Sequence, residues 1–438
     1  MVNAFDDRAR AGLDPELGAL IARREAVLGP AYRLFYERPL QLVRGEGVHL
    51  YDPDGNEYLD AYNNVPSVGH SHPRVAGAVA RQAARLNTHT RYLAEETVAY
   101  AERLVATHDP AIERVMFTCT GSEAVDLALR IATFRESRRG VVVTANAYHG
   151  VTAAAAAVSP SLGEGVPLGP HVRTVPPPRD DRGGDPAAEL GRAVGAAMAD
   201  LERHGFPPAA LLIDSLLSSD GLRPDPPGLL GPAVEAARAA GALYIADEVQ
   251  AGFARTGESM WGYQRHGVSP DLVVMGKPMG NGMPIGGLAA RGALLDEFGA
   301  AVRYFNTFGG NSVCVAAADA VLDVIEEEGL AENAARVGER LRAGIAELAA
   351  GTSLLGGVRG AGLFLAADLL DPGTGRPSPE LAGRVVNGLR DRGVLISATG
   401  ELGETLKIRP LLPFRPEHAD RVVAALAEVV DELERDPG

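Results

Sequence analysis

Apolar runs of strand length alternate with stretches of helical spacing through the middle of the chain. RVMFTCT (114–120), GVVVTA (140–145), ALLIDSLL (210–217), ALYIADEV (242–249) and DLVVMGK (271–277) are rich in Val, Ile and Leu and end on polar or glycine residues. Between them, EAVDLALRIATFR (123–135) and LLGPAVEAARAAG (229–241) place apolar residues on one helical face. Strand, helix, strand, helix predicts an α/β domain whose mostly parallel sheet is covered on both faces. Ligands meet such sheets at the carboxyl ends of the strands. VPPPRDDRGGDP (175–186) reads as a surface loop.

The pattern changes towards the C-terminus. Long helices over 316–350 give way to GVRGAGLFLAADLL (357–370), a helix near 378–392, a strand pair at GVLIS and TLKIRP, and a helix at 417–435. These segments predict a smaller α+β domain over residues 321–438, beside a large domain over 66–320. Residues 1–65 carry a hairpin signal at Asp54-Gly55 and are expected to pack with the smaller domain.

Composition narrows the function classes. A net charge of −15 opposes nucleic acid as a general partner, although a pocket can hold a small anion against the global sign. No apolar run reaches the roughly 18 residues of a membrane span, and MVNAFDDRARAGLD lacks the apolar core of a signal peptide. Cys119 and Cys314 make no disulfide framework. A cytoplasmic globular protein is the expectation. Arginine is plentiful, but Lys277 and Lys407 are the only lysines. Any lysine chemistry therefore has two candidates.

The strand ends carry the candidate chemistry. Thr120-Gly121-Ser122 precede an amphipathic helix whose first amides suit an oxyanion, with Ser122 as a plain N-cap the alternative. Tyr148, in Ala147-Tyr148-His149-Gly150, is placed to stack on a flat ring or simply to pack. Asp247 and Glu248 follow LYIA, so an apolar strand delivers a carboxylate that needs a cationic partner. A Walker-type role is weakened because the chain has no G-x-x-x-x-G-K-[ST] loop. Lys277 ends the next strand before PMGNGMPIGG, where desolvation favours a neutral, imine-forming amine. Lys407, in the alternating TLKIRP, is expected on a solvated face. His70-Ser71-His72 lacks further ligands at metal spacing, so no metal is expected.

TGSEAVDLALR, NAYHG, ADEVQAGFARTG, MGKPMGNGMPIGG, NTFGGN and LKIRP, in this order, resemble the class III (fold type I) aminotransferases that use pyridoxal 5′-phosphate (PLP). The resemblance implies that Lys277 is the Schiff-base lysine and that Asp247 pairs with the pyridinium nitrogen. It also implies that Gly121 and Ser122 hold the cofactor phosphate, Tyr148 stacks on the ring above Val249, and Gln250 lies near the phenolic oxygen. Thr307 would come from the other subunit, making an obligate homodimer with shared sites. GHSHP at 69–73 matches a family turn.

Two details bear on the reaction. Aminotransferases of this family carry E-P-x-x-G-E-G-G, whose second Glu covers a carboxylate-binding arginine; here Asp214 opens the stretch and Ser219 replaces that switch. LDAYNNVPSVGHSHP, LNTHTRYL and MGKPMGNG resemble the ethanolamine-phosphate phospho-lyase branch, which needs no oxo-acid and no switch. The expected reaction releases phosphate from O-phosphoethanolamine or a similar phosphorylated amine, leaving aldehyde and ammonia. An aminotransferase moving a primary amine to pyruvate or 2-oxoglutarate is the alternative. Arg409 matches the family's anion-gripping arginine and suits carboxylate or phosphate. Arg33 (in YRLFY) and Arg91 (in TRY) are further substrate-binding candidates. A non-catalytic effector module is disfavoured because too little chain precedes the resemblance for a DNA-binding region, and both Lys277 and Asp247 are retained.

Overall fold

A computed structural model describes residues 4–134, 138–178 and 184–435. The loop expected at 175–186 and the end of the helix expected at 123–135 fall partly outside the described residues. Near the N-terminus, β1 (Arg44–Glu46), β2 (His49–Tyr51) and β3 (Glu57–Asp60) form an antiparallel meander. The turn between β2 and β3 uses Gly55 at φ +85.

Seven strands make the central sheet: β4 (Arg114–Thr118), β5 (Gly140–Thr144), β6 (Val172–Val175), β7 (Pro208–Asp214), β8 (Leu243–Asp247), β9 (Leu272–Met275) and β10 (Gly286–Ala290). Their order is β4-β10-β9-β8-β7-β5-β6. Neighbours from β9 to β6 run parallel, and β10 is antiparallel to both β4 and β9. Each central strand feeds alternate side chains to two cores, which is why these runs read as unbroken apolar segments. Val142, Leu211, Tyr244 and Val273 face one core, whereas Val141, Leu212, Ile245 and Val274 face the other.

A second domain follows helices over 312–327 and 330–350. β11 (Leu355–Ala361), β12 (Phe364–Leu369), β14 (Ser397–Thr399) and β15 (Thr405–Ile408) form an antiparallel sheet ordered β11-β12-β15-β14. The short β13 (Val394–Leu395) pairs in parallel with β3, joining N-terminal and C-terminal segments in one sheet.

Two strands differ from the sequence expectation. β6 takes up Val172–Val175, so Val175, expected in a loop, ends a strand. β10 is fully buried, in a stretch where no strand was expected from the sequence. A Cβ on Gly286 would stand 2.8 Å from the Thr120 carbonyl carbon, so glycine permits the close approach to β4. None of the described helices is long and apolar enough to cross a membrane.

Candidate active site

The carboxyl ends of β4, β5, β7, β8 and β9 converge on a cavity of about 210 Å³ lined by Gly121, Ser122, Tyr148, His149, Gly150, Asp214, Asp247, Val249, Gln250 and Lys277. Larger hollows lie elsewhere, including an apolar one of about 810 Å³ beside Phe117 and Tyr304. This smaller cavity alone among them joins a lysine to buried carboxylates.

At its β4 end the helix Gly121–Phe134 begins. Thr120, rather than Ser122, caps it: Thr120 Oγ1 accepts from the Glu123 amide at 3.1 Å, and Glu123 reaches back to accept from the Cys119 amide at 2.7 Å. The amides of Gly121 and Ser122 thus lie in the first turn, where no intrahelical acceptor exists. The Ser122 hydroxyl accepts from the Val151 amide at 3.2 Å. Gly121 is held against Val249, where a Cβ would come within 2.8 Å of Cγ2. Gly150 takes φ +137 over Ser122.

Asp247 ends β8 in register with Asp214 of β7. The buried His149 Nδ1 lies 2.7 Å from Asp247 Oδ2, and the Val249 amide donates to Oδ1 at 3.0 Å. Burial, then the neighbouring Asp247, pushes the Asp214 carboxyl upward. Asp214 accepts from the Leu216 amide at 2.9 Å and from the Ser218 hydroxyl. Lys277, two residues past β9, is deep in the cavity and retains some exposure. Burial, then Arg409, push its amine down to about 8, against the pull of Asp247 and Asp214.

Arg409 is buried behind Gln250. It donates to Gln250 Oε1 and, at 3.1 Å, to the Tyr62 carbonyl, and Gln250 Nε2 in turn donates to Ser218 Oγ at 2.6 Å. None of these partners is a carboxylate. Burial lowers the Arg409 guanidinium below its usual value.

The structure gathers Lys277, Asp247, Gly121, Ser122, Tyr148, Val249 and Gln250 around one cavity. Tyr148 stands at the rim, 37% exposed. It does not bring the remaining candidates there. Arg33 is exposed beside Phe5 and Arg24 in the N-terminal segment. Arg91 lies over the Phe305 ring at 3.7 Å, and Thr307 is exposed on the same loop as Phe305.

Sequence reasoning missed other groups. Lys407 is not solvated: it is 9% exposed, because β15 is internal to its sheet and every residue of that strand is buried. His149 and Asp214 both fall inside quoted motifs, yet neither declares a role by spacing. Glu248 is buried away from the cavity and accepts from Ser215 Oγ (2.5 Å) and the amides of Gly262 (2.7 Å) and Tyr263 (2.8 Å). His70 contacts Asp60 at 2.8 Å, while His72 caps the helix Pro73–Arg85.

The donor set fits PLP. Unpaired helical amides, a glycine that leaves no room for a side chain, a buried carboxylate and a lysine of lowered pKa suit phosphate, pyridine nitrogen and aldehyde in turn.

Comparison with known proteins agrees. The family model for class III aminotransferases matches residues 35–430. An alanine–glyoxylate aminotransferase 2-like protein of Drosophila melanogaster is 37% identical, covering 93% of this chain and 86% of its own. Ethanolamine-phosphate phospho-lyase homolog 1 of Caenorhabditis elegans is 34% identical, covering 95% and 94%. A solved phospholyase from Arthrobacter, in complex with phosphoethanolamine, is 44% identical with a TM-score of 0.91, covering 94% of this chain and all of that one. The chain belongs to the class III aminotransferases, the PLP-dependent family of fold type I.

Proposed function

We propose that this enzyme is a phospho-lyase that eliminates phosphate from O-phosphoethanolamine or a similar phosphorylated primary amine, giving aldehyde, ammonia and phosphate. One observation carries the reading: Ser219 stands where a switching carboxylate would cover Arg409, and the side-chain partners of Arg409 are an amide oxygen and a backbone carbonyl. An uncovered guanidinium in a buried site calls for an anion that stays through the whole reaction. The bound phosphoethanolamine of the Arthrobacter phospholyase and the name of the nematode relative support it.

Lys277 would hold the cofactor, Gly121 and Ser122 its phosphate, Asp247 its ring nitrogen, Tyr148 and Val249 its faces, and Gln250 its phenolic oxygen. The chemistry PLP supplies when bound is an electron sink for charge left on the carbon bearing the amine. Lys277, neutral in a substantial fraction near pH 8, takes the proton from that carbon. His149 orients the Asp247 carboxylate at 2.7 Å. Arg409 grips the phosphate, which suits its planar fork. We further infer a cytoplasmic homodimer in which Thr307 reaches the neighbouring site, and domains dividing at residues 66 and 321. Arg33 and Arg91 retain a substrate role only if the dimer carries them to the neighbouring cavity.

The test is to incubate the PLP-loaded enzyme with O-phosphoethanolamine and no oxo-acid, and to assay free phosphate, aldehyde and ammonia. Catalytic release of all three supports the reading. No release, with amine transfer once pyruvate or 2-oxoglutarate is added, makes the protein an aminotransferase. Arg409 is compatible with that second reading too, since a guanidinium suits carboxylate as well as phosphate.

A further inference from the structure

Elimination from a phosphate monoester dianion has a charge problem at the leaving oxygen. Cleaving the C–O bond returns both electrons to oxygen and would expel a phosphate trianion, too basic to leave unprotonated at neutral pH. A positioned acid is therefore required, and such acids contribute about 10²- to 10⁴-fold. Arg409 does not serve, because a guanidinium keeps its proton in proteins. Lys277 is assigned to the proton on the carbon bearing nitrogen.

Lys407 lies on β15 and Arg409 two residues later, just past the strand's end. Their cationic groups share the Phe364 ring, Lys407 Nζ at 5.6 Å and the Arg409 guanidinium at 5.5 Å from its centroid. Ala366 and Ser397 flank Lys407 in register and bring no charge. Among the described residues the Lys407 ammonium makes no hydrogen bond and no ion pair. Asp214 lies near enough to favour the charged form but makes no ion pair with it, so keeping a proton on this nine-tenths-buried amine is costly, and a bound dianion would offset that cost. Arg409 connects the pair to the cavity by its bond to Gln250, which also lines the space around Lys277. The Gln250 oxygen is a neutral acceptor that a phosphate oxygen outcompetes.

We propose that Lys407 is the general acid of the elimination, holding the substrate phosphate together with Arg409 and protonating the oxygen that leaves carbon. This rests on the phospho-lyase reading. The C–O bond breaks with its electron pair on oxygen, and the Lys407 proton moves to that oxygen. Hydrogen phosphate dianion departs and Lys407 is left as a neutral amine, which water reprotonates. Lys277 separately carries the proton from the carbon bearing nitrogen, so atoms and charge balance. Burial, followed by Arg409, holds the Lys407 amine well below an ordinary lysine, with Asp214 opposing and Lys277 adding to the shift. A proton so held is readily given up. An arginine at this position would bind phosphate equally and donate nothing.

Lys407→Arg separates the two roles. In D2O, the variant loaded with PLP and given O-phosphoethanolamine is expected to exchange the hydrogens next to nitrogen, read by NMR. Its phosphate release falls about 100-fold or more below wild type. Inorganic phosphate binding, by calorimetry, stays within about threefold of wild type for Lys407→Arg and weakens about tenfold for Lys407→Met, whose apolar side chain suits a buried site. Phosphate release near the wild-type rate in Lys407→Arg overturns the proposal. So does loss of exchange and release together, or unchanged phosphate affinity in Lys407→Met. A wild-type enzyme that releases no phosphate defeats the parent reading first, before either variant is compared.

Discussion

Gly150→Ala tests the cofactor cradle through backbone geometry alone. Gly150 holds φ +137, a region L-residues rarely enter, at a torsional cost of about 1–3 kcal/mol for alanine. The new Cβ would also stand 2.8 Å from Ser122 Cβ and 2.9 Å from its Cα, and closer still to its hydroxyl. Such overpacking costs a further 1–3 kcal/mol or so unless the first turn of the helix moves. Movement there displaces the two amides assigned to the cofactor phosphate. We expect PLP affinity to fall about 10- to 100-fold, equivalent to about 1.4–2.7 kcal/mol. Titrating apoenzyme with PLP and following cofactor absorbance measures it directly. Ser122→Gly alone removes the bond to the Val151 amide, worth about 1 kcal/mol. Placed in the Gly150→Ala background, it removes most of the colliding atoms and should recover part of the lost affinity. The two changes then fail to add. Wild-type PLP affinity in Gly150→Ala, or strict additivity in the double variant, refutes the cradle.

Lys277→Ala should abolish turnover and the long-wavelength cofactor absorbance; an unchanged spectrum would end the assignment of that lysine. Ser219→Glu restores the glutamate that the resembling aminotransferases carry at this point of the motif, and should depress phosphate release about tenfold or more while helping amine transfer to pyruvate or 2-oxoglutarate. No change in either rate means position 219 does not govern the choice of reaction. Acid stability follows two buried histidines, His108, stacked 4.2 Å from Trp261 and pushed down to about 3 by burial, and His266, pushed down to about 4. Unfolded, each binds its proton near 6.5, so its contribution is full above that pH and is lost as pH falls, about 1.4 kcal/mol per pH unit each. Glu248, raised to about 7, has the opposite sign, stabilising below pH 4.5 and losing that contribution as pH rises through about 7. His108→Phe keeps the stack and should flatten the acid limb of urea-unfolding stability; an unaltered limb refutes the histidine account.

Legibility in the sequence tracked burial geometry. β5, β7, β8 and β9 were readable because a parallel strand covered on both faces is apolar without interruption. β6 escaped notice since Arg173 and Thr174 interrupt its four residues, and β10 because its glycines, needed against Thr120, mimic a loop. The lysine and carboxylate at adjacent strand ends were visible for the same reason as their strands. Lys407 was misread by the converse logic. Alternation in TLKIRP ordinarily marks a sheet with one wet face, yet β15 is internal and its polar side is covered too. Ser122 was weighed as a cap when Thr120, two residues earlier, takes that role. Local spacing does not decide which of two nearby hydroxyl residues stops being helical first.

The charges around the cavity connect these observations to the chemistry. Lys277, Lys407 and Arg409 face Asp214 and Asp247, and Arg255 lies behind them, lowered to about 9 by burial and by Arg409. Arg255 donates from Nη1 to the carbonyls of Leu363 and Pro410, neither of which carries a charge, so it raises the local potential without relieving it. The cluster is short of negative charge even though the whole chain carries −15. A covering glutamate would settle that deficit internally and release it only when a carboxylate substrate arrives. With serine at position 219, the deficit waits for the ligand. In the proposed assignment the cofactor phosphate would sit at the far end, on the amides after β4, which would leave the Lys407–Arg409 end unsatisfied. A second phosphate, on the substrate, satisfies it with two charges where a carboxylate brings one. On the proposed reading, selection for phosphorylated amines then follows from the same missing carboxylate that removes the need for an oxo-acid partner.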